Sequence, residues 1–423
     1  MAELLQLSEQ GCAPAGAESR CLVCGAEGIA EFLNLGRTPL ANRFLEAGDL
    51  AGAEPEFPLR VGFCASCHHV QLLDLVPPSD LFGHYLYISS MSETLKRHMD
   101  DLAATVSRRY RLTRRDLVVD IGSNDGTLLS AFAQRGARVV GVDPAANLAG
   151  LARSKGVETV TAYFGAETAA RIRTEHGAAR VITATNSFPH IPKLGDYLKG
   201  VGRLLEPDGV LVIEAHYLVD MLEQRAFDTI YHEHVSYWAL GPAQRLFQEH
   251  DFEVIDVQRL PLHHGQLRMW VQRAGTAAVR ASVAKLGQGE QDRRLDKLET
   301  YQAFAAGARL VKQDLIRLLE KLKFEGKSVA GYGAPAKGTT LLSYLELGPE
   351  TIDYIADRSP LKQGRYAPGS HIPIVAPERI EEERPDYLLL LAWNFADEIM
   401  QQLASYHKQG GRFIIPVPDV RIV

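Results

Sequence analysis

The chain has 423 residues, of which 46% are hydrophobic and 23% charged, and its formal net charge is −6. This length predicts two or three globular units, and the composition excludes a disordered or fibrous protein. The negative charge offers no broad cationic field, so a protein whose main activity is binding nucleic acid is disfavoured.

The apolar segments are too short for a membrane protein. The longest, YLLLLAW at 387–393, falls far short of the roughly 20 residues that a transmembrane helix needs. The N-terminus, MAELLQLSEQG, has acids and no basic flank ahead of an apolar block, so it is not typical of a signal peptide. We therefore expect no membrane partner and a cytoplasmic location. The oligomeric state stays open, with a monomer among the states allowed.

Two CxxC pairs lie in the first quarter of the chain: Cys21 with Cys24, and Cys64 with Cys67. A pair on a tight turn can present two sulfurs to one ion, so the two pairs together predict a structural zinc site with four thiolates. Two disulfides, or chance clustering, are the alternatives. The reducing cytoplasm disfavours disulfides.

Other possible ligands lie close to these pairs. His68 and His69 follow directly and are competing candidates, although four cysteines already complete a closed structural site. Cys12 belongs to an Ala/Gly-rich leader and is expected to be a free thiol. Residues 1–83 are therefore predicted to be a leader followed by a small β-rich module that depends on its metal.

A helix is predicted from residue 92 onward, with Ser92 as its N-cap. The apolar residues that follow have helical spacing, at Leu95, Met99, Leu102 and Val106. From residue 117 the pattern changes to strand, glycine turn, helix and strand, in LVVDIGSNDG, TLLSAFAQRG and ARVVGVDP. This alternation predicts a parallel, doubly wound sheet within a domain at 84–270.

The glycine turn after the first of these strands carries an acid. Asp120, Gly122 and Gly126 form DxGxxxG, and an acid at a strand end can accept hydrogen bonds from a hydroxyl or ammonium group, whereas a phosphate cradle would not want that charge. Asp143 ends the next strand, where a carboxylate can bind both hydroxyls of a ribose. A tight turn without a ligand is the alternative.

This pairing of acids resembles the S-adenosylmethionine site of class I methyltransferases, and no NAD-type GxGxxG is present here. The resemblance implies S-adenosylmethionine as cofactor. Asn186, after the fourth strand, would line the methyl-transfer pocket. The expected cofactor-binding residues are Asp120, Gly122, Ser123, Asn124, Asp125, Gly126, Asp143 and Asn186.

The C-terminal third, 271–423, again alternates strand and helix patterns and predicts a second α/β domain. In VAGYGAPAKGTTLL, Gly331, Gly333 and Gly338 separate a strand from a helix, with Lys337 just before the helix. Backbone amides at a helix start suit a diphosphate, especially beside a lysine. Because GxGxxxxG departs from GxGxxG, dinucleotide binding is disfavoured.

Further candidates for this ligand follow the glycine loop. Asp357 ends the next strand, and Lys362 and Arg365 come shortly after it, where they suit a base, a ribose or phosphates. His264 and Arg268 are predicted either to line the same cleft or to belong to a buried strand. For the domain as a whole, the alternative is a scaffold that binds no ligand.

The segment YHEHVSYW, at 231–238, permits three interpretations. His232 and His234 would point the same way on a strand and could bind a metal, but HExxH spacing is missing. A satisfied polar cluster is the second interpretation. The third is a catalytic base with its helpers, since histidine titrates near neutrality without a large shift.

The order of these motifs is more specific than any one of them. The CxxC pairs, YLYISSMSETLKRH, the cofactor loops, NSFPH, YHEH and GYGAPAKG together resemble the C-3'-methyltransferases of nucleotide-linked deoxysugar biosynthesis. The resemblance covers nearly everything after residue 20. It implies three domains: a zinc module, a Rossmann-like class I methyltransferase domain, and a Rossmann-like domain that binds a nucleotide sugar.

The resemblance also implies a substrate, a TDP-4-keto-6-deoxyhexose, and a reaction. A histidine base removes the proton next to the ketone, and the resulting enolate attacks the cofactor's methyl group. By motif match the base is His234, with Tyr231 and Glu233 beside it, while His190 and Tyr85 match other active-site positions.

In this interpretation the zinc is structural and the sugar lies between the two larger domains. The expected substrate-binding residues are Gly333, Lys337, Asp357, Lys362 and His264. The alternatives are an O- or N-methyltransferase of another small metabolite, and a nucleotide-sugar-binding protein without catalysis.

Overall fold

The structure is a computed structural model that describes residues 20–83, 88–262 and 265–423. Three residues named above, Cys12, Tyr85 and His264, lie outside these ranges. Within them, no helix combines the length and the apolar character needed to cross a membrane.

Short antiparallel strands make up the N-terminal part, as the β-prone sequence predicted. The elements up to residue 110 are β1 (Ala30–Thr38), β2 (Phe57–Phe63), β3 (Val70–Leu72), α1 (Pro78–Phe82) and α2 (Glu93–Tyr110). Strand β2 lies between β1 and β3 and pairs antiparallel with both. Its inward side chains, including Leu59 and Val61, are almost wholly buried in the small core.

Helix α2 begins at the predicted cap. The Ser92 side chain accepts a hydrogen bond from the backbone N–H of Leu95 at 3.2 Å, which satisfies one of the free amides of the first turn. The four predicted apolar positions are all buried. They pack in one cluster with Phe132 and Trp270, so α2 covers one face of the central sheet.

The central part alternates strands and helices before it ends in an antiparallel hairpin. Its elements are β4 (Leu117–Ile121), α3 (Thr127–Gln134), β5 (Arg138–Val142), α4 (Ala146–Ser154), β6 (Thr159–Val160), α5 (Ala166–His176), β7 (Ala179–Thr185), α6 (Leu194–Leu204), β8 (Leu205–His216), α7 (Leu218–Glu223), β9 (Ser236–Tyr237), α8 (Leu240–Gln248), β10 (Phe252–Leu260) and β11 (Gln266–Arg273).

Within the described ranges, the central sheet has the strand order β6-β5-β4-β7-β8-β11-β10. Strands β4 to β8 are parallel where they pair, and β11 is antiparallel to both of its neighbours. This confirms the predicted doubly wound sheet. Helices cover both faces, which is why β4 is buried along its whole length. The carboxyl ends of β4, β5, β7 and β8 meet at one edge, where ligands bind in such sheets.

Strand β9 lies between central-sheet strands in the sequence but belongs to the N-terminal sheet, where it pairs antiparallel with β3. The register matches Val70 with Tyr237 and Gln71 with Ser236. Because β9 follows YHEHV directly, this pairing anchors the histidine segment to the N-terminal module.

The C-terminal part follows two helices. Its elements are α9 (Ala281–Asp292), α10 (Leu298–Phe324), β12 (Val329–Tyr332), α11 (Ala336–Leu345), β13 (Ile355–Ala356), β14 (Ile374–Val375), α12 (Arg379–Glu383), β15 (Tyr387–Leu390), α13 (Ala396–Gln402), α14 (Ala404–Lys408), β16 (Arg412–Ile415) and β17 (Arg421–Ile422). Short 3-10 helices occur along the described chain at Asp49–Ala51, Ser89–Met91, Phe188–His190, Phe227–Thr229 and Trp393–Phe395.

In the described part of this region the strand order is β14-β13-β12-β15-β16-β17. All the pairs are parallel except β16 with β17. The predicted second α/β unit is therefore present. The glycine loop after β12 lies at the carboxyl edge of this sheet, as the loop after β4 does in the central one.

Candidate active site

A cavity of about 890 Å³ joins the predicted cofactor and substrate residues. The N-terminal part contributes Asn42, the central part contributes Asp143 and His234, and the C-terminal part contributes Lys337. A concave site of this size, mostly apolar with a few converging polar groups, is typical of a small-molecule site.

The four cysteines of the CxxC pairs converge outside this cavity. Their sulfur atoms all lie within 4.8 Å of one another, with Cys21 Sγ 3.4 Å from Cys67 Sγ and Cys24 Sγ 3.7 Å from Cys64 Sγ. In a tetrahedron with zinc–sulfur bonds of about 2.3 Å, neighbouring sulfurs lie about 3.8 Å apart. The donor set therefore fits a closed zinc site, and none of these cysteines forms a disulfide.

His68 and His69, the competing candidates, are not part of the cysteine cluster. The wholly buried His69 has its Nε2 3.1 Å from the Ser236 hydroxyl, and its ring packs against Trp238. His68 stacks on Phe63. In the described ranges, the cluster of possible metal ligands consists of the cysteines alone.

The loop after β4 forms the first wall of the cavity. Gly122 has φ of 75°, and a Cβ there would lie 2.5 Å from Ser187 Cβ, so glycine is required. Asp143, at the end of β5, accepts hydrogen bonds from the backbone N–H of Asn124 at 2.8 Å and of Ala145 at 2.9 Å. Burial raises the pKa of Asp143. The predicted ribose-binding acid is thus fixed by the backbone at the cavity wall.

Asp120 lies deeper in the same wall. It is 2% exposed and accepts a hydrogen bond from the Thr183 hydroxyl at 2.6 Å. Burial raises its pKa to about 7, and the nearby carboxylates of Asp143 and Glu214 add to the effect. A cationic or hydroxyl ligand at this wall would favour the ionised carboxylate.

Two predicted cofactor residues do not line the cavity. Asp125 forms an ion pair with Lys155 at 2.7 Å. A Cβ at Gly126 would lie 3.1 Å from Ala152 Cβ and from Val157 Cβ, so this glycine allows close packing of the loop. The other predicted residues, Ser123, Asn124 and Asn186, do line it.

His234 lines the same cavity as the loops after β4 and β12. Its Nδ1 lies 2.8 Å from the Thr229 carbonyl oxygen, so Nδ1 carries the proton and donates. The Tyr231 hydroxyl, 2.8 Å from Nε2, donates to that nitrogen. Burial lowers the pKa of His234 to about 3, and His190 contributes to the lowering. His234 is therefore neutral near pH 7, with its basic nitrogen at Nε2.

Two further imidazole rings pack next to the ring of His234. The rings of His190 and His216 lie with centroids 5.1 Å and 4.9 Å from that of His234, and both residues line the cavity. Burial lowers the pKa of His190 to about 3. The sequence interpretation missed His216, although its position at the end of a parallel strand was a usable signal.

The other polar residues of YHEH face elsewhere. Glu233 is 3% exposed and accepts a hydrogen bond from Asn42 Nδ2 at 2.7 Å. His232 lies with Nε2 3.2 Å from the Pro58 carbonyl. Because residues 231–234 form a turn instead of a strand, His232 and His234 do not point the same way. The metal interpretation of this segment is wrong for that reason.

The loop after β12 forms the opposite wall. Gly333 has φ of 81°, and a Cβ there would lie 2.7 Å from Ala392 Cβ. Asp357 accepts hydrogen bonds from the backbone N–H of Ala334 at 2.6 Å and of Ser359 at 2.7 Å. The loop is therefore shaped and fixed in the same way as the one after β4.

Two lysines give this wall its charge. Lys337 Nζ lies 4.3 Å from the Trp393 ring centroid, and Lys362 Nζ donates to the Ala334 carbonyl at 2.7 Å. Burial lowers the pKa of Lys337 to about 8 and also lowers that of Lys362. Asp228, which the sequence interpretation missed, does not line the cavity, but its charge opposes the lowering of the Lys337 pKa and it accepts a hydrogen bond from Trp393 Nε1 at 2.5 Å.

Two arginines named in the sequence lie away from this wall. Arg268 belongs to the buried strand β11, where its Nε donates to Glu214 Oε1 at 2.5 Å. Arg365 lies 3.4 Å from Glu46. The structure therefore favours the buried-strand alternative for Arg268, and neither side chain lines the cavity.

Three family models match consecutive parts of the chain. A zinc binding domain matches residues 21–82, a methyltransferase domain matches 91–257, and a C-methyltransferase C-terminal domain matches 261–418. With the strand order of the central sheet, this identifies a class I S-adenosylmethionine-dependent methyltransferase fold.

Individual proteins match as well. The C-methyltransferase NovU from Streptomyces niveus is 42% identical over 404 residues, which cover 95% of this chain and 96% of that protein. The ubiquinone biosynthesis O-methyltransferase of Haemophilus ducreyi is 30% identical over 25% of this chain and 53% of its own. Among solved structures, the PH0226 protein from Pyrococcus horikoshii OT3 has a TM-score of 0.36 and 14% identity, covering 44% of this chain and 94% of that one. The chain therefore belongs to the family of S-adenosylmethionine-dependent C-methyltransferases that includes NovU.

Proposed function

We propose that the protein methylates C-3' of a TDP-linked 4-keto-6-deoxyhexose, and that His234 removes the C-3' proton to give an enolate. The observation that carries this proposal is a neutral imidazole between an acidic loop and a basic loop in one cavity. A carbon must lose a proton before it can attack a methyl group, whereas a hydroxyl oxygen or an amine already carries a lone pair.

The imidazole is oriented for proton removal. Since Nδ1 donates to the Thr229 carbonyl, Nε2 is the nitrogen that accepts the proton. A carbon acid needs a positioned base and an adjacent carbonyl that delocalises the charge. Burial lowers the pKa of His234 to about 3, so the expected titration near neutrality without a large shift is not met. The ring is unprotonated at physiological pH and can accept a proton, and negative charge developing on the enolate beside it would raise this pKa.

Tyr231 is the donor best placed for the ketone oxygen. Its hydroxyl bonds His234 Nε2 at 2.8 Å, so it must leave that nitrogen before the nitrogen accepts a proton from carbon. The freed hydroxyl then donates to the oxygen on which charge develops. His190 and Glu233 complete the surroundings, with Glu233 acting through Asn42.

The acidic loop suits S-adenosylmethionine. Asp143 is fixed at the end of β5 for ribose hydroxyls, and the absence of a side chain at Gly122 lets the backbone approach the ligand. Asp120 favours a positively charged group. When bound, the cofactor supplies an electrophilic methyl group, and the task of these residues is positioning.

The basic loop suits the TDP handle. Helix α11 begins at Ala336, so its free amides face the glycine loop, and Lys337 lies in its first turn. Lys362 adds a second cation, and Gly333 and Asp357 shape the wall. Binding energy from a handle remote from C-3' positions the reacting carbon.

The three domains proposed for this function span 1–83, 84–270 and 271–423. The zinc ion stabilises the first and takes no part in the chemistry, because four thiolates leave no open coordination position. Reduced cysteines and a nucleotide-sugar substrate accord with a cytoplasmic enzyme.

The experiment is incubation with methyl-labelled S-adenosylmethionine and a set of TDP-4-ketosugars, read by mass spectrometry. The expected result is one added methyl group, which NMR assigns to carbon. A methyl group on oxygen or nitrogen would favour the alternative reaction. Calorimetric binding of the ketosugars without turnover would favour a binding protein.

A further inference from the structure

The N-terminal module contributes a polar side chain to the cavity. Asn42 belongs to the segment between β1 and β2, yet it lines the same cavity as His234 and Lys337. A module with a purely structural role would not need a carboxamide at this position.

The orientation of this carboxamide is determined by its partner. Asn42 Nδ2 lies 2.7 Å from Glu233 Oε1. A carboxylate oxygen accepts hydrogen bonds, so the nitrogen must face it. The carboxamide oxygen has no hydrogen-bond partner in the described ranges. A polar group at a ligand cavity is expected to find its partner in the ligand.

The backbone around Asn42 is fixed on both sides. The Ala41 carbonyl accepts a hydrogen bond from the Thr339 hydroxyl of α11 at 3.1 Å. Leu45 and Tyr366 exchange two backbone hydrogen bonds, of 3.0 Å and 2.9 Å. The segment is thus held to the C-terminal part, and a preorganised side chain loses little entropy when it binds.

The neighbours of this segment belong to the proposed phosphate site and to the proposed base. The Phe44 ring lies 4.9 Å from Lys362 Nζ, and α11 carries Lys337 in its first turn. Glu233 is one residue from His234. Asn42 therefore stands between the proposed phosphate site and the proposed base, where the hexose would lie.

We propose that Asn42 recognises the sugar, its carboxamide oxygen accepting a hydrogen bond from a hydroxyl or ammonium substituent of the hexose. The inference rests on the proposed function for the identity of the ligand. It makes the zinc module part of the substrate site, so that metal binding and substrate selection share one structural unit.

The test compares Asn42→Ala with wild-type enzyme on a TDP-4-ketosugar and on analogues that each lack one ring hydroxyl or amine. We expect the KM of the parent ketosugar to rise about tenfold, the effect of one lost hydrogen bond. The affinities for free TDP and for S-adenosylhomocysteine should stay within about twofold. One analogue, lacking the contacted donor, should show no further loss in the variant.

Asn34→Ala is the matched control, since Asn34 is an exposed asparagine of the same module outside the cavity. Zinc content and thermal unfolding verify that each variant is folded. Should Asn42→Ala fail to fold, Asn42→Ser keeps the size change small and is judged by the same criteria.

Two results would overturn the inference. One is a KM for the parent ketosugar within about twofold of wild type. The other is an equal loss for every analogue and for free TDP, which would indicate a general structural effect. Wild-type enzyme that methylates none of the sugars on carbon overturns the proposed function, and the inference with it.

Discussion

The loops after β4 and β12 have the same construction in two different sheets. Gly122 and Gly333 both have positive φ, and each lies against a residue two positions after the end of a neighbouring strand, β7 or β15. Asp143 and Asp357 each accept two backbone N–H groups, one from the glycine loop and one two residues further along. Backbone geometry therefore does not distinguish the two sites.

The difference between the loops is their charge. Asp120 lies beneath the first, whereas Lys337 and Lys362 flank the second. A carboxylate favours cationic and hydroxyl ligands, and lysines beside a helix start favour phosphate. Under the proposed function, two loops with the same backbone geometry bind ligands of opposite charge because the side chains beside them differ.

The largest effect on turnover is expected from replacing the proposed base, His234. His234→Asn should lower kcat by about 10²–10⁴-fold, the usual contribution of a positioned base. Binding of TDP and S-adenosylhomocysteine should survive, as calorimetry can show. The exposed His407 provides a control, and His407→Asn should leave kcat unchanged. Near-normal turnover of His234→Asn would remove this residue from the base role.

The next largest effect is on the two KM values, and it tests whether the two loops bind different ligands. Asp143→Ala should raise the KM for S-adenosylmethionine by about 10–100-fold, and Lys337→Ala should do the same for the ketosugar, as expected for charged hydrogen bonds. Each variant should leave the other KM nearly unchanged in steady-state kinetics. If either substitution raised both values equally, the two loops would not be separate sites.

A smaller effect tests the charge of the basic loop. Burial lowers the pKa of Lys337 to about 8, so the cation is lost as pH rises through that value. The KM of the ketosugar should therefore increase above about pH 8. Lys337→Arg stays cationic and should flatten the pH profile of KM. An unchanged profile in that variant would exclude Lys337 as the titrating group.

The smallest effect concerns stability. Burial lowers the pKa of His69, His190 and His234 to about 3, while an unfolded histidine titrates near 6.5. The unfolded chain therefore binds more protons between those values, and stability is lost as pH falls below about 6.5. Denaturant unfolding at neutral pH and near pH 5 measures this. His190→Gln should reduce the difference between the free energies of unfolding at the two pH values. An unchanged difference would show that His190 does not contribute to the pH dependence.

The sequence predicted the larger elements because their patterns are local. Nearly continuous apolar runs such as LVVDI and YLLLL identify buried parallel strands. The two-residue strands β9, β14 and β17 escaped prediction, since so short a strand is defined by its partner. The boundary between α9 and α10 also escaped prediction, because both helices lie in one stretch without a strong breaker.

The site residues also divide into those that local motifs predict and those that depend on distant partners. The glycine loops and the cysteine pairs are local motifs and were predictable. Asn42 and Asp228 were not, because their partners Glu233 and Trp393 lie 191 and 165 residues away in sequence. The shared direction of His232 and His234 was conditional on a strand, and the structure has a turn there.

The most direct measurement is exchange of the C-3' hydrogen of a TDP-4-ketosugar in deuterium oxide, with S-adenosylhomocysteine bound so that no methyl group can transfer. Proton removal by His234 predicts that wild-type enzyme incorporates deuterium at C-3' and that His234→Asn does not. Equal exchange by both proteins, or none by the wild type, would contradict an enolate formed by this imidazole.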